Sequence, residues 1–301
     1  MYYRSLNEEL REKFGEKLYK LALDGGFTCP NRDGTIGSRG CTFCLGGSGS
    51  FAEGRCASVS EQIERAKRRV EKKNPSGKYI AYFQSYTNTY APVKRLEALF
   101  GEALAHPDIA ALSVGTRPDC LPLEVLELLA RLNKIKPVWV ELGLQTIHEQ
   151  TAEKIRRGYD LSVFDKAVKD CKAEGLYTVV HMIIGLPGET PEMAAQTADY
   201  IGKIGADGIK LQLLHVLRGT DMAEQYAAGE FEVMSMEEYI SALEECVRRL
   251  PPQMTIHRLT GDGDKKYLIA PLWSADKKRV LNAVNGAFRR DNVVQGEHYE
   301  V

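Results

Sequence analysis

A β-strand pattern that leads directly into a cysteine-containing loop occupies residues 18–44, LYKLALDGGFTCPNRDGTIGSRGCTFC. Apolar residues dominate positions 18–23 and predict a short strand. The next segment is rich in Gly, Asn and Asp and carries Cys29, Cys41 and Cys44, so it predicts an irregular loop that converges on a bound group. A loop with reactive side chains after the carboxyl end of a strand is typical of parallel α/β sheets.

Strand and helix patterns alternate along the chain beyond this loop. Predicted strands cover residues 79–84, 109–114, 137–142, 177–184 and 208–214, and predicted helices cover 93–104, 123–132, 163–173 and 191–204. Together with the first strand these make about six βα units, too few for a closed eight-stranded barrel. The sequence therefore predicts a single α/β domain over residues 1–301: a partial, open β/α barrel of about six parallel strands, at about 15–215, and a C-terminal extension, at about 216–301, facing the substrate.

Composition and charge narrow the class of protein. The chain has 301 residues, of which 44% are hydrophobic and 27% are charged, which is typical of globular proteins and excludes disordered or collagen-like chains. Residues 1–17 are polar, and no segment reaches eighteen uninterrupted apolar residues, so we expect a soluble cytoplasmic protein with no membrane partner. A reducing cytosol argues against a disulfide framework for the seven cysteines. The net charge of -1 leaves two local basic segments, at 65–73 and 277–290.

The three loop cysteines predict a metal centre. Thiolates on a glycine-rich loop ligate either zinc or an iron–sulfur cluster. A structural zinc site needs four ligands, and the next cysteine, Cys56, is twelve residues further on. Three cysteines on a [4Fe-4S] cluster instead leave one iron open to a ligand.

The segment Cys41-Thr42-Phe43-Cys44 resembles the end of the cysteine motif in radical S-adenosylmethionine (SAM) enzymes, with Phe43 at the cofactor. Eleven residues separate Cys29 from Cys41 where the usual motif has three, and a similarly widened gap occurs in the family related to the Elongator catalytic subunit. The resemblance implies a [4Fe-4S] cluster on the three cysteines and S-adenosyl-L-methionine on its open iron. Such enzymes release a 5'-deoxyadenosyl radical, and the electron comes from a donor such as flavodoxin or ferredoxin.

Further segments resemble the cofactor contacts of this superfamily. In the segment 141–146, ELGLQT, Glu141 and Gln145 correspond to a strand end where Gln contacts the cofactor ribose. Arg157 resembles the arginine that meets the cofactor carboxylate in oxygen-independent coproporphyrinogen oxidase, a role suited to a guanidinium fork. The segment 184–190, IGLPGET, resembles the loop around the adenine, with Gly185, Leu186 and Pro187 at the contact.

Two segments depart from the superfamily pattern. Many relatives have a Gly-Gly-Glu-like segment after the second strand that holds the cofactor amine, whereas this chain has QSYTNT at 84–89. We expect oxygen atoms of Ser85, Thr87 or Asn88 to replace it. Many relatives also place Asp where this chain has His181, which we treat as either a ribose contact or a core histidine.

The whole chain resembles the roughly 300-residue family related to the Elongator catalytic subunit, through the segments at 23–34, 82–90 and 256–263. The resemblance implies tRNA as the substrate and the conversion of 5-carboxymethylaminomethyl-uridine to 5-aminomethyl-uridine at the wobble position. For substrate contacts at the barrel mouth we select His215 and Arg218 after the last barrel strand, and His257 and Arg258 after a further β-like run. The basic residues of 277–290 would suit a tRNA surface.

Two alternatives remain at this point. A radical SAM enzyme acting on a small metabolite or a tetrapyrrole would not need the basic segment. A zinc-stabilised RNA-binding protein without catalysis would bind one zinc ion per chain and would not turn over SAM.

Overall fold

A computed structural model describes residues 2–46, 52, 58–74, 77–261 and 263–300. Cys56 and Asp262 lie outside the described residues. The helices are α1 (Leu6–Phe14), α2 (Val59–Val70), α3 (Val93–Ala105), α4 (Leu123–Asn133), α5 (Glu149–Lys154), α6 (Leu161–Ala173), α7 (Pro191–Lys203), α8 (Asp221–Ala227), α9 (Met236–Arg249) and α10 (Lys277–Arg290). None of these helices is long and apolar enough to cross a bilayer.

The strands form one large parallel sheet and one small antiparallel pair. They are β1 (Tyr19–Leu23), β2 (Tyr79–Phe83), β3 (Ile109–Thr116), β4 (Val138–Gln145), β5 (Tyr177–Ile184), β6 (Gly208–Leu213), β7 (Val216–Leu217), β8 (Thr255–Arg258) and β9 (Leu268–Ala270). The large sheet has the order β1-β2-β3-β4-β5-β6-β8, and β7 pairs with β9. The expected partial α/β barrel with a C-terminal extension is confirmed.

The sheet has one strand more than the expected six. β8 comes from the segment assigned to the extension and pairs in parallel with β6, with Gly208 opposite Thr255. Its four residues are too few to show a clear alternation of apolar and polar side chains, so the pattern alone could not assign it to the barrel. The remaining strand predictions agree with the structure to within a few residues at each end.

Local sequence signals explain where the helices begin. The Thr190 side chain accepts a hydrogen bond from the backbone N–H of Met193, and Pro191 occupies the first turn of α7, where its missing N–H costs nothing. Ser5 and Glu8 form a reciprocal capping box at the start of α1. These caps fix the ends of helices that pack on the outer face of the sheet or close the barrel.

The barrel interior is apolar at its amino end and polar towards its carboxyl end. Leu10 of α1 packs with Ile80, Ala111 and Trp139, which come from the first residues of β2, β3 and β4. This apolar layer closes the amino end. Polar side chains follow along the same strands, so the space that they surround opens towards the strand ends where parallel α/β sheets bind ligands.

Candidate active site

A cavity of about 220 Å³ lies at the carboxyl ends of β2 to β5 and beside the cysteine loop, residues 24–46. Nine of the residues selected from the sequence line it: Cys29, Cys41, Phe43, Cys44, Thr87, Glu141, Gln145, Arg157 and His181. A larger groove of about 830 Å³ runs over the outer surface beside α6, and none of the three loop cysteines lines it. The chemically relevant residues therefore converge on the smaller cavity.

The cysteine loop is held in place by hydrogen bonds from distant segments. The backbone N–H of Thr42 donates to the carbonyl of Ile155 at 3.1 Å, and the Thr42 carbonyl accepts from Met222 at 3.0 Å. Arg156 Nε donates to the Gly40 carbonyl at 3.0 Å, and its guanidinium also pairs with Asp221 of α8. An irregular loop with few apolar side chains is thus anchored between the α5 region and α8.

The three loop cysteines are free thiols that lie partly exposed at the cavity. Asn31 Nδ2 lies 3.5 Å from Cys41 Sγ and donates to the Arg156 carbonyl at 2.6 Å. Burial raises the pKa of the Cys41 thiol to about 11, and the nearby Cys44 adds to the shift. Because a thiol must lose its proton to ligate a metal, a bound cationic centre would offset this cost.

The spread of the three sulfur atoms bears on which metal they suit. In the described part of the chain, the only three potential ligand atoms that all lie within 4.8 Å of one another belong to Glu64, His106 and Asp108. The loop Sγ atoms are therefore spread more widely. Two thiolates on one zinc ion are at most about 4.6 Å apart, because each Zn–S bond is about 2.3 Å. The loop thus suits a multi-iron cluster better than a single zinc ion.

The surface trio Glu64, His106 and Asp108 is explained without a metal. Lys67 Nζ lies 2.7 Å from a carboxylate oxygen of Glu64 and 2.7 Å from one of Asp108. His106 Nε2 lies 2.9 Å from Glu64. The lysine therefore supplies the positive charge that brings the two carboxylates together.

Gln145 carries a buried hydrogen-bond acceptor that has no partner among the described residues. It ends β4 with a φ of 71°, a left-handed conformation that a non-glycine residue adopts only when its surroundings hold it there. Its Oε1 atom is buried and has no hydrogen-bond partner among the described residues. A buried acceptor of this kind on a cavity wall suits a ligand hydroxyl or amide donor.

Arg157 lines the cavity but already meets a carboxylate of the protein. Its Nη2 atom lies 3.0 Å from both carboxylate oxygens of Glu149, and its Nη1 atom donates to the Thr146 carbonyl at 2.7 Å. The guanidinium also lies over the ring of Tyr159, 4.8 Å from its centroid. The contact between Arg157 and a cofactor carboxylate stays a prediction, since these partners occupy most of its donors.

Glu141 is the centre of a buried ion-pair network that we call the floor network, formed by Lys20, Glu141, His181 and Lys210. Lys20 Nζ lies 2.5 Å from Glu141 Oε1, which also accepts from Ser113 Oγ at 2.6 Å. His181 Nε2 lies 2.7 Å from Glu141 Oε2, and Lys210 Nζ pairs with the same oxygen. The Glu141 side chain is 0% exposed. Although burial would raise it, Lys20 and Lys210 hold the pKa of Glu141 well below its usual range.

The aromatic ring of Tyr82 joins the two lysines of the floor network. Lys20 Nζ lies 4.7 Å and Lys210 Nζ 4.6 Å from the centroid of the ring, and Lys210 Nζ donates to the Tyr82 hydroxyl at 3.0 Å. Burial lowers the pKa of Lys210 to about 7, against the raising effect of Glu141. The network is therefore a compact polar layer between the apolar amino end of the barrel and the cavity.

The segment after β2 presents only one of its three predicted contacts to the cavity. Thr87 lines the wall, whereas Asn88 turns towards β3 and donates from Nδ2 to the Gly115 carbonyl at 2.7 Å. Ser85 is fully buried and does not line the cavity. Gly185, Leu186 and Pro187 also lie off the wall, where Leu186 packs in one apolar cluster with Ile155 and Phe43. The cofactor contacts of these residues stay predictions.

The predicted position of His257 at the barrel mouth is wrong. Its ring centroid lies 5.5 Å from that of Trp139 and 6.0 Å from that of Tyr177, residues at the amino ends of β4 and β5. The reason is that His257 belongs to the barrel strand β8 and its ring packs towards the amino ends of β4, β5 and β6, rather than lying in a loop after β8. Burial lowers the pKa of His257 well below its usual range, which leaves the imidazole neutral.

The other three predicted substrate residues lie in different places. Arg258 is opposite Lys210 in the sheet, and its charge acts on Tyr82 and Lys210 in the barrel interior. His215 follows β6 and packs under the turn that contains Gly261. Arg218 is exposed, with its backbone N–H bonded to the Tyr267 carbonyl at 2.7 Å. None of the three lines the cavity, and their roles towards a substrate stay predictions.

Sequence reasoning missed Lys20 and Lys210, and also Arg117, whose guanidinium lines the cavity and pairs with Asp119 at 2.8 Å. A signal for the lysines is visible in retrospect. Each is the only charged residue of a mostly apolar strand, as in the sequence GIKLQL of β6. A buried charge needs an opposite charge, and Glu141, in the equally apolar β4, could have been matched with them.

Two family models match the chain. The model of the Radical SAM superfamily matches residues 33–201, and that of the Radical SAM C-terminal domain matches residues 206–290. The chain is 44% identical to "Uncharacterized protein YtqA" of Bacillus subtilis over 299 residues, which are 99% of this chain and 93% of that protein.

A second relative and a solved structure extend these similarities. The chain is 30% identical over 156 residues to the "tRNA uridine(34) acetyltransferase" of Methanocaldococcus jannaschii, which covers 50% of this chain and 28% of that protein. The structure of the archaeal Methanocaldococcus infernus Elp3 with an N-terminal deletion superposes with a TM-score of 0.71 at 18% identity. The superposition covers 92% of this chain and 64% of that chain, and it supports the fold.

Proposed function

Because the chain belongs to the Radical SAM superfamily, we propose that it modifies the wobble uridine of tRNA and converts 5-carboxymethylaminomethyl-uridine to 5-aminomethyl-uridine. The chain is an enzyme of this superfamily, whose members use a [4Fe-4S] cluster and SAM. The observation that carries the proposal is the convergence of Cys29, Cys41 and Cys44 on one cavity that is also lined by Gln145.

The residues present suit these two cofactors. Cys29, Cys41 and Cys44 would hold the cluster, and at least two of their sulfur atoms lie farther apart than two thiolates on a single zinc ion. The unpartnered Oε1 of Gln145 and the cavity-lining Thr87 offer polar contacts to SAM. When bound, the cluster and SAM would supply a 5'-deoxyadenosyl radical able to take a hydrogen atom from the substrate.

The protein groups around the cavity serve binding and orientation. Tyr86 is 40% exposed at the cavity, with a φ of 62°, and its ring is available to stack on a base. Arg32 donates to the Cys44 carbonyl within the cysteine loop, so it braces the loop that lines the cavity. The apolar layer at the amino end of the barrel keeps water from entering the barrel interior at that end.

Two observations support tRNA as the substrate. A relative at 30% identity is named a tRNA uridine(34) acetyltransferase, and position 34 is the wobble position. In addition, α10 buries Val280, Val284 and Phe288 and contains five basic and no acidic residues, KKRVLNAVNGAFRR. Lys278 and Arg289 are exposed there. Cationic side chains on one helix suit the phosphate backbone of RNA.

Turnover on defined tRNA tests the proposal. The protein, reconstituted anaerobically with iron and sulfide, is incubated with dithionite, SAM and tRNA that carries 5-carboxymethylaminomethyl-uridine. We expect release of 5'-deoxyadenosine together with the appearance of 5-aminomethyl-uridine, measured by mass spectrometry of the digested nucleosides. The matched control is the same tRNA transcribed without modification, which lacks the group to be removed.

An unchanged nucleoside profile, with cofactor cleavage at the same rate on both tRNAs, would reject the tRNA proposal and leave the enzyme class intact. Turnover on an RNA-free metabolite fraction would point to a small-molecule substrate instead. Iron and sulfide per chain are measured for each assay, so that both tRNAs are tested with protein of the same cluster content.

A further inference from the structure

The two ring nitrogens of His181 have different surroundings. Nε2 lies 2.7 Å from Glu141 Oε2, while Nδ1 has no hydrogen-bond partner among the described residues. His181 lines the cavity, and its side chain is 21% exposed. An ionised carboxylate can only accept, so the hydrogen of a neutral His181 must be on Nε2 and the lone pair on Nδ1.

Glu141 can impose this arrangement because two lysines keep it ionised. Lys20 comes from β1 and Lys210 from β6, on either side of β4 in the curled sheet, and each pairs with a different oxygen of the carboxylate. Within the described part of the chain, Glu141 is the only acid that either ammonium group contacts. A protonated Glu141 could donate to His181 and reverse the tautomer, whereas the carboxylate between two cations cannot.

The other charged and titratable groups near His181 leave it neutral. Burial, with smaller contributions from the charges of Lys210 and Lys20, lowers the pKa of His181 to about 4, and Glu141 opposes the change. Arg258 of β8 adds positive charge beside Lys210, and His257 of the same strand is neutral. Tyr82 of β2 contributes a hydroxyl that accepts from Lys210.

We propose that Lys20 and Lys210 are positioning residues which, through Glu141, hold His181 as the neutral tautomer protonated on Nε2, so that Nδ1 accepts a hydrogen bond from the ligand in the cavity. The inference rests on the proposed function only in taking this cavity as the one that receives SAM and the substrate. In this role the two lysines act through Glu141, and they neither touch the ligand nor transfer a proton.

Nitrogen NMR of the histidine rings tests the tautomer directly. The whole protein, reconstituted with its oxidised cluster, is labelled with ring ¹⁵N-histidine, and His181→Gln identifies the His181 signals among the six histidines. We expect a protonated Nε2 and an unprotonated Nδ1 from pH 5.5 to pH 8. A neutral ring with its hydrogen on Nδ1, or a ring that is protonated throughout, would overturn the proposal.

Removing the lysines should change the titration of His181 in a graded way. Lys210 is charged below pH 7, and its charge disfavours the imidazolium, so Lys210→Met should raise the pKa of His181. We expect a rise of at least about one unit, a tenfold gain in proton affinity. Lys20→Met should give a smaller rise, because Lys20 is the weaker of the two influences on His181. Lys169→Met, at an exposed position on α6, is the control and should change nothing.

The affinity for SAM provides a second measurement. Between pH 7 and pH 5 the wild-type affinity should stay nearly flat, whereas that of Lys210→Met should fall by about twofold, because a pKa raised by about one unit from about 4 leaves about half of its Nδ1 protonated at pH 5. If Lys210→Met does not fold, Lys20→Met carries the test, because Lys20 is the more exposed of the two lysines. Unchanged His181 titration in the folded lysine variants rejects the proposal. Both measurements are made without RNA. They therefore stay valid if the tRNA proposal is rejected, and a negative result from them does not affect the tRNA proposal.

Discussion

The cysteine loop and the floor network contribute to the same cavity but are built in opposite ways. The loop places its three thiols within 16 positions of sequence, on irregular backbone held by hydrogen bonds from other segments. The floor network takes one titratable side chain from each of β1, β4, β5 and β6 and buries them on regular strands. In the loop, the functional side chains come together because they are close in sequence. In the network, they come together because the sheet aligns residues of separate strands.

The difference also predicts how each region fails. A loop variant should lose its bound group while the barrel stays folded, because few core contacts depend on the loop. A network variant should lose stability first, because a buried charge without its partner is costly. The next three variants test this contrast, from the largest expected effect to the smallest.

Cys41→Ala should have the largest effect on activity. Loss of one of three cluster ligands removes a metal bond, and even loss of an outer-shell partner typically costs 10–100-fold, so we expect cofactor cleavage to fall by more than about 100-fold. The measurement is 5'-deoxyadenosine formed with dithionite, beside iron content and the unfolding midpoint. Cys171→Ala, a buried thiol on α6, is the control and should retain the iron. Cofactor cleavage by Cys41→Ala at the wild-type rate would mean that Cys41 is not a ligand of the cluster.

Glu141→Ala should have the largest effect on stability. It leaves Lys20 and Lys210 without their carboxylate in the barrel interior, and breaking a buried pair in this way costs about 3–5 kcal/mol. Chemical denaturation measures the free energy of unfolding. Glu153→Ala, at an exposed position on α5, is the control, for which we expect a change within about 0.5 kcal/mol. Similar values for both variants would mean that the network is not a structural element of the barrel.

Asn31→Ala should have the smallest of the three effects. Asn31 is 5% exposed and connects Cys41 Sγ to the Arg156 carbonyl, so its loss should weaken cluster retention by about tenfold, as for other outer-shell partners. The rate of iron loss to a chelator measures this, with the exposed Asn282 of α10 changed to Ala as the control. If chelation proceeds equally fast from both variants, the loop is held by its backbone contacts alone.

The same contrast explains what could be predicted from the sequence. The alternation of strands and helices predicted the barrel, and the cysteine spacing predicted the loop, because both are local patterns. The lysines were missed because their importance appears only when β1, β4 and β6 are brought together. His257 was misplaced for a related reason: β8 is too short for its inward-facing positions to be distinguished from a loop. Gln145 was selected by resemblance, and its unpartnered oxygen is visible only in three dimensions.

The floor network also has a consequence for how the chain folds during synthesis. Glu141 lies 121 residues after Lys20 and 69 residues before Lys210, so its two cations reach it at different times. Until β6 has left the ribosome, the nascent barrel holds this carboxylate with one of its two lysines. Contacts between residues this far apart form late, because the loops between them must close first. We therefore expect the floor network to become complete only when β6 docks, before β8 adds the last strand to the sheet.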